Sequence, residues 1–264
     1  MELPSVRREV KSINPHMLLI YSPPKMGKTT IVGKLEDCLI IETEPFGANY
    51  IEGLIVEVNK PSEFNAVLDA IEAKNKEIGG YTYRRIVVDT ITKLDEWSEI
   101  SGTYRYMRKP QGKKFNLKDE KKPSEGIYNH LDPEFETVHE LGQGFGYKYS
   151  REEMTDWYDR LSLLAPEIIL IAHIKDKFVE SKTGDTVETR DINLTGKVKS
   201  IFSSRVDGIG YFHRVGDKGI LSFNPKENLI CGARCSHLNG DIIISEKQED
   251  GQIKTYWERI YIDK

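Results

Sequence analysis

Short apolar runs alternate with amphipathic segments along the first two thirds of the chain. Five runs rich in Val, Ile and Leu are typical of buried β-strands, and they occupy residues 17–21, 38–41, 54–58, 85–89 and 168–172. Between them, apolar residues recur at helical spacing in residues 28–36, 61–78 and 151–165. Apolar strands separated by helices are typical of a parallel sheet that is covered on both sides. The pattern therefore predicts an α/β fold with a mostly parallel sheet flanked by helices.

Two regions depart from this alternation. Residues 101–150 are rich in Gly, Lys and Tyr and have little hydrophobic periodicity, so we expect a long, basic, irregular insertion. From residue 205 onward, β-like runs are joined by Gly and Asn turns, which predicts a β-rich C-terminal extension (205–264) with antiparallel strands. The length of 264 residues favours a single domain, 1–264, that includes both regions.

Composition excludes several classes of protein. The chain is 38% hydrophobic and 30% charged, which supplies a core and a strongly polar surface, as in a globular domain. No run approaches the roughly 18 apolar residues of a membrane span, and the N-terminal residues lack the apolar segment of a secretory signal. Three cysteines without a disulfide framework suit a reducing compartment. We therefore expect a cytoplasmic protein that does not act on membranes.

A phosphate-binding motif follows the first predicted strand. Residues 22–29 match G-x-x-x-x-G-K-[ST] except that a serine replaces the first glycine. In this motif, backbone N–H groups wrap a phosphate, the lysine reaches the β- and γ-phosphates, and the last hydroxyl ligates Mg²⁺. Its position between a buried strand and a helix predicts binding of ATP with Mg²⁺. The expected nucleotide-binding residues are Ser22, Pro23, Pro24, Lys25, Met26, Gly27, Lys28, Thr29 and Thr30.

Acidic residues follow two other predicted strands. Asp89 ends the run IVVD, where a carboxylate would lie near the water shell of Mg²⁺. Glu42 and Glu44 come at the end of the second strand, and we expect only one of this alternating pair to serve the site. A carboxylate at that position could activate the attacking water. Without a phosphate loop, Asp89 would be a turn or cap residue and both glutamates would be solvated loop charges.

The order of these motifs resembles a known family. The segments SPPKMGKT, IETE, RIVVDT and IILIAH follow one another as in the RecA-type P-loop ATPases. The chain is more similar still to the small RecA-like ATPases of bacteriophages, which include single-strand annealing proteins. The segments GFGYKYSREEMTDWYDRL and LTGKVKSIFSSRVDGIGYFHR also resemble that group. The resemblance covers residues 15–240, and it implies a RecA-like core and, for a phage-encoded chain, a location in the host cytosol.

The resemblance also assigns roles to residues of the phosphate site. It implies that Lys28 and Thr29 bind nucleotide and Mg²⁺ and that Asp89 is the Walker B acid. Glu44 matches the family's catalytic glutamate better than Glu42 does.

Two further residues have alternative interpretations. His173 ends the fifth predicted strand, where the family has a polar residue that senses the γ-phosphate; alone, it would be a hydrogen-bonded strand-end residue. Lys25 could stabilise transition-state charge as an internal finger, and a solvated lysine is equally consistent with the sequence. Ser22 differs from the family's glycine. This difference affects the expectation of tight turnover but not the expectation of nucleotide binding.

Assembly is a further implication of the resemblance. In RecA-type proteins the nucleotide lies between subunits, so we expect a homo-oligomer, either a ring or a filament. A single-strand DNA-binding protein is a further expected partner. The cations that could reach a neighbour's nucleotide are Lys197, Lys199 and Arg205.

A basic segment inside the insertion is a candidate for DNA binding. Residues 101–124 carry eight Lys and Arg against two carboxylates, a local charge of +6 in a chain of net charge −4. Cations that follow the backbone and rings that stack on bases are what single-strand binding requires. The alternatives are a solvated lysine-rich loop and a protein-docking arm. The candidate DNA contacts are Tyr104, Arg105, Tyr106, Arg108, Lys109, Lys113 and Lys114, with a weaker second set at Lys175, Lys177, Lys182 and Arg190.

These features together favour an Mg²⁺-dependent ATPase that binds single-stranded DNA in phage-type recombination, replication or strand annealing. Hydrolysis would be an in-line attack of water with Glu44 as base, while Lys28 and Mg²⁺ stabilise phosphoryl charge. The alternative from another class is a nucleotide-dependent switch or scaffold that hydrolyses ATP slowly and recruits protein partners. DNA-stimulated turnover distinguishes these two functions.

Overall fold

The computed structural model describes residues 5–7, 9–10, 13–180, 186–225 and 229–262, with backbone alone for 176–180 and 186–188. Of the predicted DNA contacts, Lys182 and the side chain of Lys177 lie outside these described residues. Across the described ranges, no helix combines the length and the apolar character needed to cross a bilayer.

Eleven strands and five α-helices form the fold in the described part of the chain. The strands are β1 Met17–Ser22, β2 Cys38–Glu42, β3 Leu54–Glu57, β4 Arg85–Asp89, β5 Glu167–Glu180, β6 Thr186–Ile192, β7 Gly208–Val215, β8 Lys218–Ser222, β9 Gly232–Ala233, β10 Asp241–Lys247 and β11 Ile253–Thr255. The helices are α1 Lys28–Val32, α2 Pro61–Ile78, α3 Ile91–Met107, α4 Tyr147–Leu161 and α5 Gly196–Arg205.

One sheet continues from β3 to β11. Its strand order is β11-β10-β8-β7-β1-β5-β4-β2-β3, with β6 paired to β5 and β9 paired to β7. The pairs between β3 and β7 along this order are all parallel, and β8, β10 and β11 add antiparallel strands beyond β7. The predicted α/β fold with a mostly parallel sheet flanked by helices is thus confirmed.

The two faces of the sheet bury separate hydrophobic clusters. On one face, α2, α3, α4 and α5 contribute buried residues, such as Phe64 of α2 and Trp157 of α4. On the other face, α1 packs with the C-terminal residues, and the indole N–H of Trp257 donates to the carbonyl of Ile31 at 2.8 Å. The C-terminal segment therefore supports the helix that follows the phosphate loop.

Several element boundaries differ from the sequence prediction. α1 ends at Val32 and not at residue 36, because Gly33, a poor helix former, follows it. α4 begins at Tyr147 and ends at Leu161, four residues earlier than predicted at each end. The segment TYWERIYI is not a continuous strand: β11 ends at Thr255 and a 3₁₀ turn, Trp257–Arg259, follows.

The irregular insertion is shorter than predicted. Residues 101–107 continue α3 and residues 147–150 begin α4, so only 108–146 are irregular. The two helices pack so closely that a Cβ on Gly102 would lie 2.7 Å from the backbone nitrogen of Ser150. Packing against α4 therefore extends α3 through a stretch whose sequence has no clear helical periodicity.

Candidate active site

The loop between β1 and α1 has the geometry of a phosphate cradle. β1 ends at Ser22, and Gly27 leads into α1 with φ +99°, a conformation that residues with a Cβ rarely adopt. A Cβ on Gly27 would meet only the hydroxyl of Thr30, at 4.0 Å, so the backbone conformation and not crowding requires glycine. The loop thus follows the phosphate motif at its most specific position.

Lys28 is folded back onto this loop. Its side chain is buried, and the ammonium donates to the hydroxyl of Ser22 at 2.9 Å, to the Ser22 carbonyl at 3.1 Å and to the Pro23 carbonyl at 3.1 Å. Burial lowers the pKa of Lys28, while the carboxylates of Asp89 and Glu44 oppose that shift. A buried ammonium that has only neutral acceptors is suited to exchange them for phosphate oxygens.

The other loop residues divide into buried and exposed ones. Ser22 is fully buried, so in place of the usual glycine it supplies a hydroxyl that receives Lys28. Met26 packs on the α1 side of the core, and Pro24 is exposed. Lys25 is exposed with φ +62° and forms no ion pair within the described part of the chain. Ser22 therefore positions Lys28, and Lys25 is available to a ligand.

Thr29 and Asp89 meet at the edge of the sheet. The Thr29 hydroxyl donates to Oδ2 of Asp89 at 2.7 Å, which joins the start of α1 to the end of β4. Burial raises the pKa of Asp89, and the bond from Thr29 and the Lys28 ammonium act in the opposite direction. A hydroxyl beside a carboxylate is an oxygen donor set of the kind that Mg²⁺ prefers. The residues present therefore fit the predicted Mg²⁺ ion.

Glu44 is held by two hydrogen-bond donors. Its Oε1 accepts from the hydroxyl of Thr90 at 3.0 Å and from Nε2 of His173 at 2.8 Å. The bond from His173 is the largest cause of the lowered pKa of Glu44, which keeps the carboxylate ionised. The side chain is 41% exposed, so one face of this carboxylate remains open to water. The structure thus brings together Glu44 and His173, which the sequence analysis had placed at the ends of different strands.

Glu42 has a different environment. It is 3% exposed, and its Oε1 accepts from the backbone N–H of Ala48 at 2.5 Å. Burial raises the pKa of Glu42. Its position therefore supports the loop after β2, and Glu44 is the member of the pair that water can reach.

His173 was predicted to end a strand, but in the structure it lies within β5. Parallel pairing of β5 with β1 stops where His173 pairs with Ser22, but β5 continues to Glu180 as one arm of a hairpin with β6. The backbone N–H of His173 donates to the hydroxyl of Thr92 at 3.0 Å. His173 therefore connects three features: Glu44, the start of α3 and the β5–β6 hairpin.

A cavity of about 510 Å³ lies beside α1, and we call it the α1 cavity. Its lining includes Thr30 and Lys34 from the region of α1, Tyr50 after β2, and Gln252 before β11. Tyr50 is 94% exposed, so its ring is available to a ligand. Sequence reasoning did not find this cavity, because its walls come from distant parts of the chain.

The two tyrosines predicted to stack on DNA bases contact protein instead. Tyr106 is 9% exposed, and its ring centroid lies 5.2 Å from that of Tyr149 and 5.4 Å from that of Phe115. Tyr104 is half-buried, with its ring 5.7 Å from Phe135. The prediction is wrong for Tyr106, because α3 turns this ring into a small core under the insertion, and Tyr104 is engaged by the insertion as well.

The basic residues predicted to contact DNA include one that contacts protein instead and several that are exposed. Arg105 forms ion pairs across to α4, at 3.1 Å from Glu153 and 2.6 Å from Asp156, so it joins two helices. The remaining basic residues come after the end of α3. This helix has 17 residues and is therefore about 25 Å long, so they lie far from its start. Arg108, Lys109 and Lys113 are exposed, as is Lys114, whose amine is 3.6 Å from Glu120.

A groove of about 450 Å³ opens between the first turns of α4 and α5, and we call it the α4–α5 groove. Its lining includes Tyr147 and Arg151 of α4, Lys197 of α5, and Asp95 of α3. Tyr147 is 44% exposed, and Phe145, two residues earlier, is 60% exposed. Cations and exposed rings therefore occur together here, at the end of the insertion and not at its lysine-rich start.

Two of the three cations predicted to reach a neighbouring subunit are already paired. Lys199 lies 2.5 Å from Asp191, and Arg205 lies 2.5 Å from Asp159. Lys197 is exposed and has no ion pair in the part of the chain that the structure describes. Lys199 and Arg205 therefore fix α5 to its surroundings, and Lys197 alone of the three is available to a ligand.

Comparison with protein-family models gives a match over most of the chain. A family model described as an AAA domain matches residues 14–235 of the chain. The matched range includes the phosphate loop, Glu44, Asp89 and His173. No curated protein matches the chain.

Proposed function

The chain belongs to the AAA domain family of P-loop ATPases, and from this premise we propose that it hydrolyses ATP with Mg²⁺ in a reaction coupled to single-stranded DNA. The biological setting that we propose is phage-type recombination, replication or strand annealing. The observation that carries the proposal is the convergence of Lys28, Thr29, Asp89, Glu44 and His173 at the carboxyl edge of the parallel strands.

Each of these side chains has a role that its contacts support. Lys28 leaves its neutral acceptors for the β- and γ-phosphates. Glu44 accepts a proton from the attacking water through an ionised carboxylate, which Thr90 and His173 orient. His173 senses the γ-phosphate. This role is supported by its bond to Glu44 and by its place in β5, which continues into the β5–β6 hairpin.

Thr29 and Asp89 would hold Mg²⁺, which when bound neutralises charge on the phosphates. The α1 cavity would take the base of the nucleotide, since Thr30 belongs both to the phosphate loop and to the cavity wall. Tyr50 offers a flat ring for stacking, and Gln252 offers amide donors and acceptors to a base edge.

For DNA, the α4–α5 groove is a better candidate than the lysine-rich start of the insertion. Arg151 and Lys197 supply cations, and Phe145, beside the groove, supplies an exposed ring on which a base can stack. Tyr147 stacks on His139 with one face of its ring and offers a base the other face. The exposed cations at 108–114 would add contacts to the DNA backbone without stacking. A homo-oligomer, as a ring or filament, and a single-strand DNA-binding protein remain proposed partners.

The test is steady-state ATP hydrolysis with and without poly(dT), using Lys28→Ala as the control that removes the phosphate contact. We expect poly(dT) to stimulate hydrolysis in the wild type, and the Lys28→Ala protein to be inactive in both conditions. Tight ATP binding with negligible turnover in both conditions would refute the coupled ATPase. That result would favour the nucleotide-dependent switch or scaffold that recruits protein partners.

A further inference from the structure

One face of α3 carries a row of polar residues that is unusual for a buried helix. Thr92, Asp95, Glu99 and Thr103 follow one another at intervals of three, four and four residues, so they share one side of the helix. Thr92, Asp95 and Thr103 are buried. Buried polar groups destabilise a fold unless they are hydrogen-bonded, so the partners of this row are informative.

The cap of α3 and the first member of the row contact the two residues proposed to act in catalysis. Thr90, which caps α3, donates to Glu44, and the Thr92 hydroxyl accepts from the backbone N–H of His173 at 3.0 Å. The start of α3 is therefore fixed to the two residues that we assign to water activation and γ-phosphate sensing.

Asp95, one turn further along, contacts the α4–α5 groove. Its Oδ2 accepts from the backbone N–H of Thr195 at 2.5 Å, across 100 positions of sequence. Thr195 precedes the first turn of α5 and has no side-chain hydrogen bond that caps this helix. Asp95 therefore holds the start of α5, and with it Lys197, in the wall of the groove.

Glu99 reaches the opposite wall. Its carboxylate accepts from the Thr137 hydroxyl at 2.5 Å and lies 3.4 Å from Nδ1 of His139. The other ring nitrogen of His139 is 2.9 Å from the hydroxyl of Ser150 in the first turns of α4. One helix thus connects the catalytic edge to both walls of the groove.

We propose that Asp95 is a positioning residue that couples the ATP site to the α4–α5 groove, an inference that rests on the proposed DNA-coupled ATPase. A carboxylate beside Lys197 lowers the positive charge of the groove, so Asp95 cannot assist DNA by attraction. It acts through the backbone that it holds: a shift of α3 driven by Glu44 and His173 moves the first turn of α5, and DNA that binds this turn shifts α3 in return.

The experiment measures the ratio of ATP turnover with poly(dT) to turnover without it. Asp95→Ala removes the acceptor, and we expect the ratio to fall by about tenfold. Asp95→Asn keeps an oxygen that can accept from Thr195, so we expect it to restore most of the ratio. Thr103→Ala is the matched control, because Thr103 is buried on the same face of α3. Among the described residues, its hydroxyl bonds to the backbone of Glu99 and Val138 and to neither α5 nor the ATP site.

A second variant breaks the same bond from the other side. Thr195→Pro deletes the donor N–H at a residue whose φ of −70° proline can adopt. We expect it to lower the ratio as Asp95→Ala does, and the double variant to be no worse than either single one, since each variant removes the contact between Asp95 and Thr195. Thr195→Pro also replaces Asp95→Ala if the alanine variant fails to bind ATP.

The outcomes separate the inference from the function on which it rests. A wild-type protein that poly(dT) does not stimulate overturns both. A stimulated wild type whose ratio survives in Asp95→Ala and Thr195→Pro overturns the coupling role alone. If Asp95→Asn and Thr103→Ala lower the ratio as much as Asp95→Ala does, the cause is a general loss of packing. That result would also overturn the coupling role. The same variants should also reduce the effect of poly(dT) on ATP affinity and, by the same factor, the effect of ATP on poly(dT) affinity, because coupling between the binding free energies of two ligands is reciprocal.

Discussion

Replacing Glu44 by Gln removes the proposed base and preserves its shape. General-base catalysis contributes about 10²–10⁴ to a rate, so we expect turnover to fall at least about a hundredfold, an increase of about 2.7 kcal/mol in the barrier. The phosphate contacts of Lys28 are untouched, so ATP affinity should stay close to that of the wild type.

The effect of Glu44→Gln on folding follows from its two hydrogen bonds. Bonds to an ionised acceptor contribute about 1 kcal/mol more than bonds to a neutral one, which gives an upper limit of about 2 kcal/mol for Thr90 and His173 together. Because the side chain is 41% exposed, we expect a loss of about 1 kcal/mol or less. Thermal unfolding should therefore change by only a few degrees, far too little to explain the loss of turnover.

The assay combines phosphate release in a single turnover with binding of a fluorescent ATP analogue. Glu42→Gln is the matched control, because Glu42 is buried and bonds to the Ala48 amide through an oxygen that glutamine keeps. Turnover by Glu44→Gln within about fivefold of the wild type would refute the assignment of Glu44 as base.

Three further predictions follow from the same contacts. Asp89→Asn should abolish turnover, because it removes the carboxylate that would hold Mg²⁺. Because burial raises the pKa of Asp89 in the folded protein, the same variant should raise the melting temperature of the nucleotide-free protein at pH 7; this gain should shrink as pH falls through the raised pKa and be lost below the usual pKa of Asp. Trp257→Ala should destabilise the fold by about 3–5 kcal/mol in denaturant unfolding and weaken ATP binding. Lys197→Ala should reduce the salt dependence of poly(dT) affinity by about one unit of slope, whereas Arg105→Ala should leave that slope unchanged and lower stability.

The sequence was sufficient to predict the features that depend on local order. The buried strands and the phosphate loop follow from short apolar runs and from a motif in which Gly27 and Lys28 are neighbours in sequence. Glu44 and Asp89 could be placed because adjacent parallel strands end at one edge of the sheet. Their mutual contacts, such as the bond from His173 to Glu44, depend on strand order, which the sequence pattern does not contain.

The features that were missed depend on distant residues. α3 has no simple apolar stripe, since Thr92, Asp95 and Thr103 are polar but buried, and this hid the helix. The sequence suggested that Tyr106 is an exposed DNA contact, because it does not show that the ring of Tyr149 packs against Tyr106. The α4–α5 groove likewise requires Asp95 and Thr195 to meet across 100 positions.

The contact between Trp257 and Ile31 has a consequence for synthesis on the ribosome. The loop with the phosphate motif is made before α1, but the indole that supports α1 lies 226 positions after Ile31. Contacts this distant in sequence form late, and the apolar face of α1 stays uncovered until then. A nascent chain halted before Trp257 should therefore carry a complete phosphate motif without a settled nucleotide site, and we expect ATP to protect only the finished domain from proteolysis.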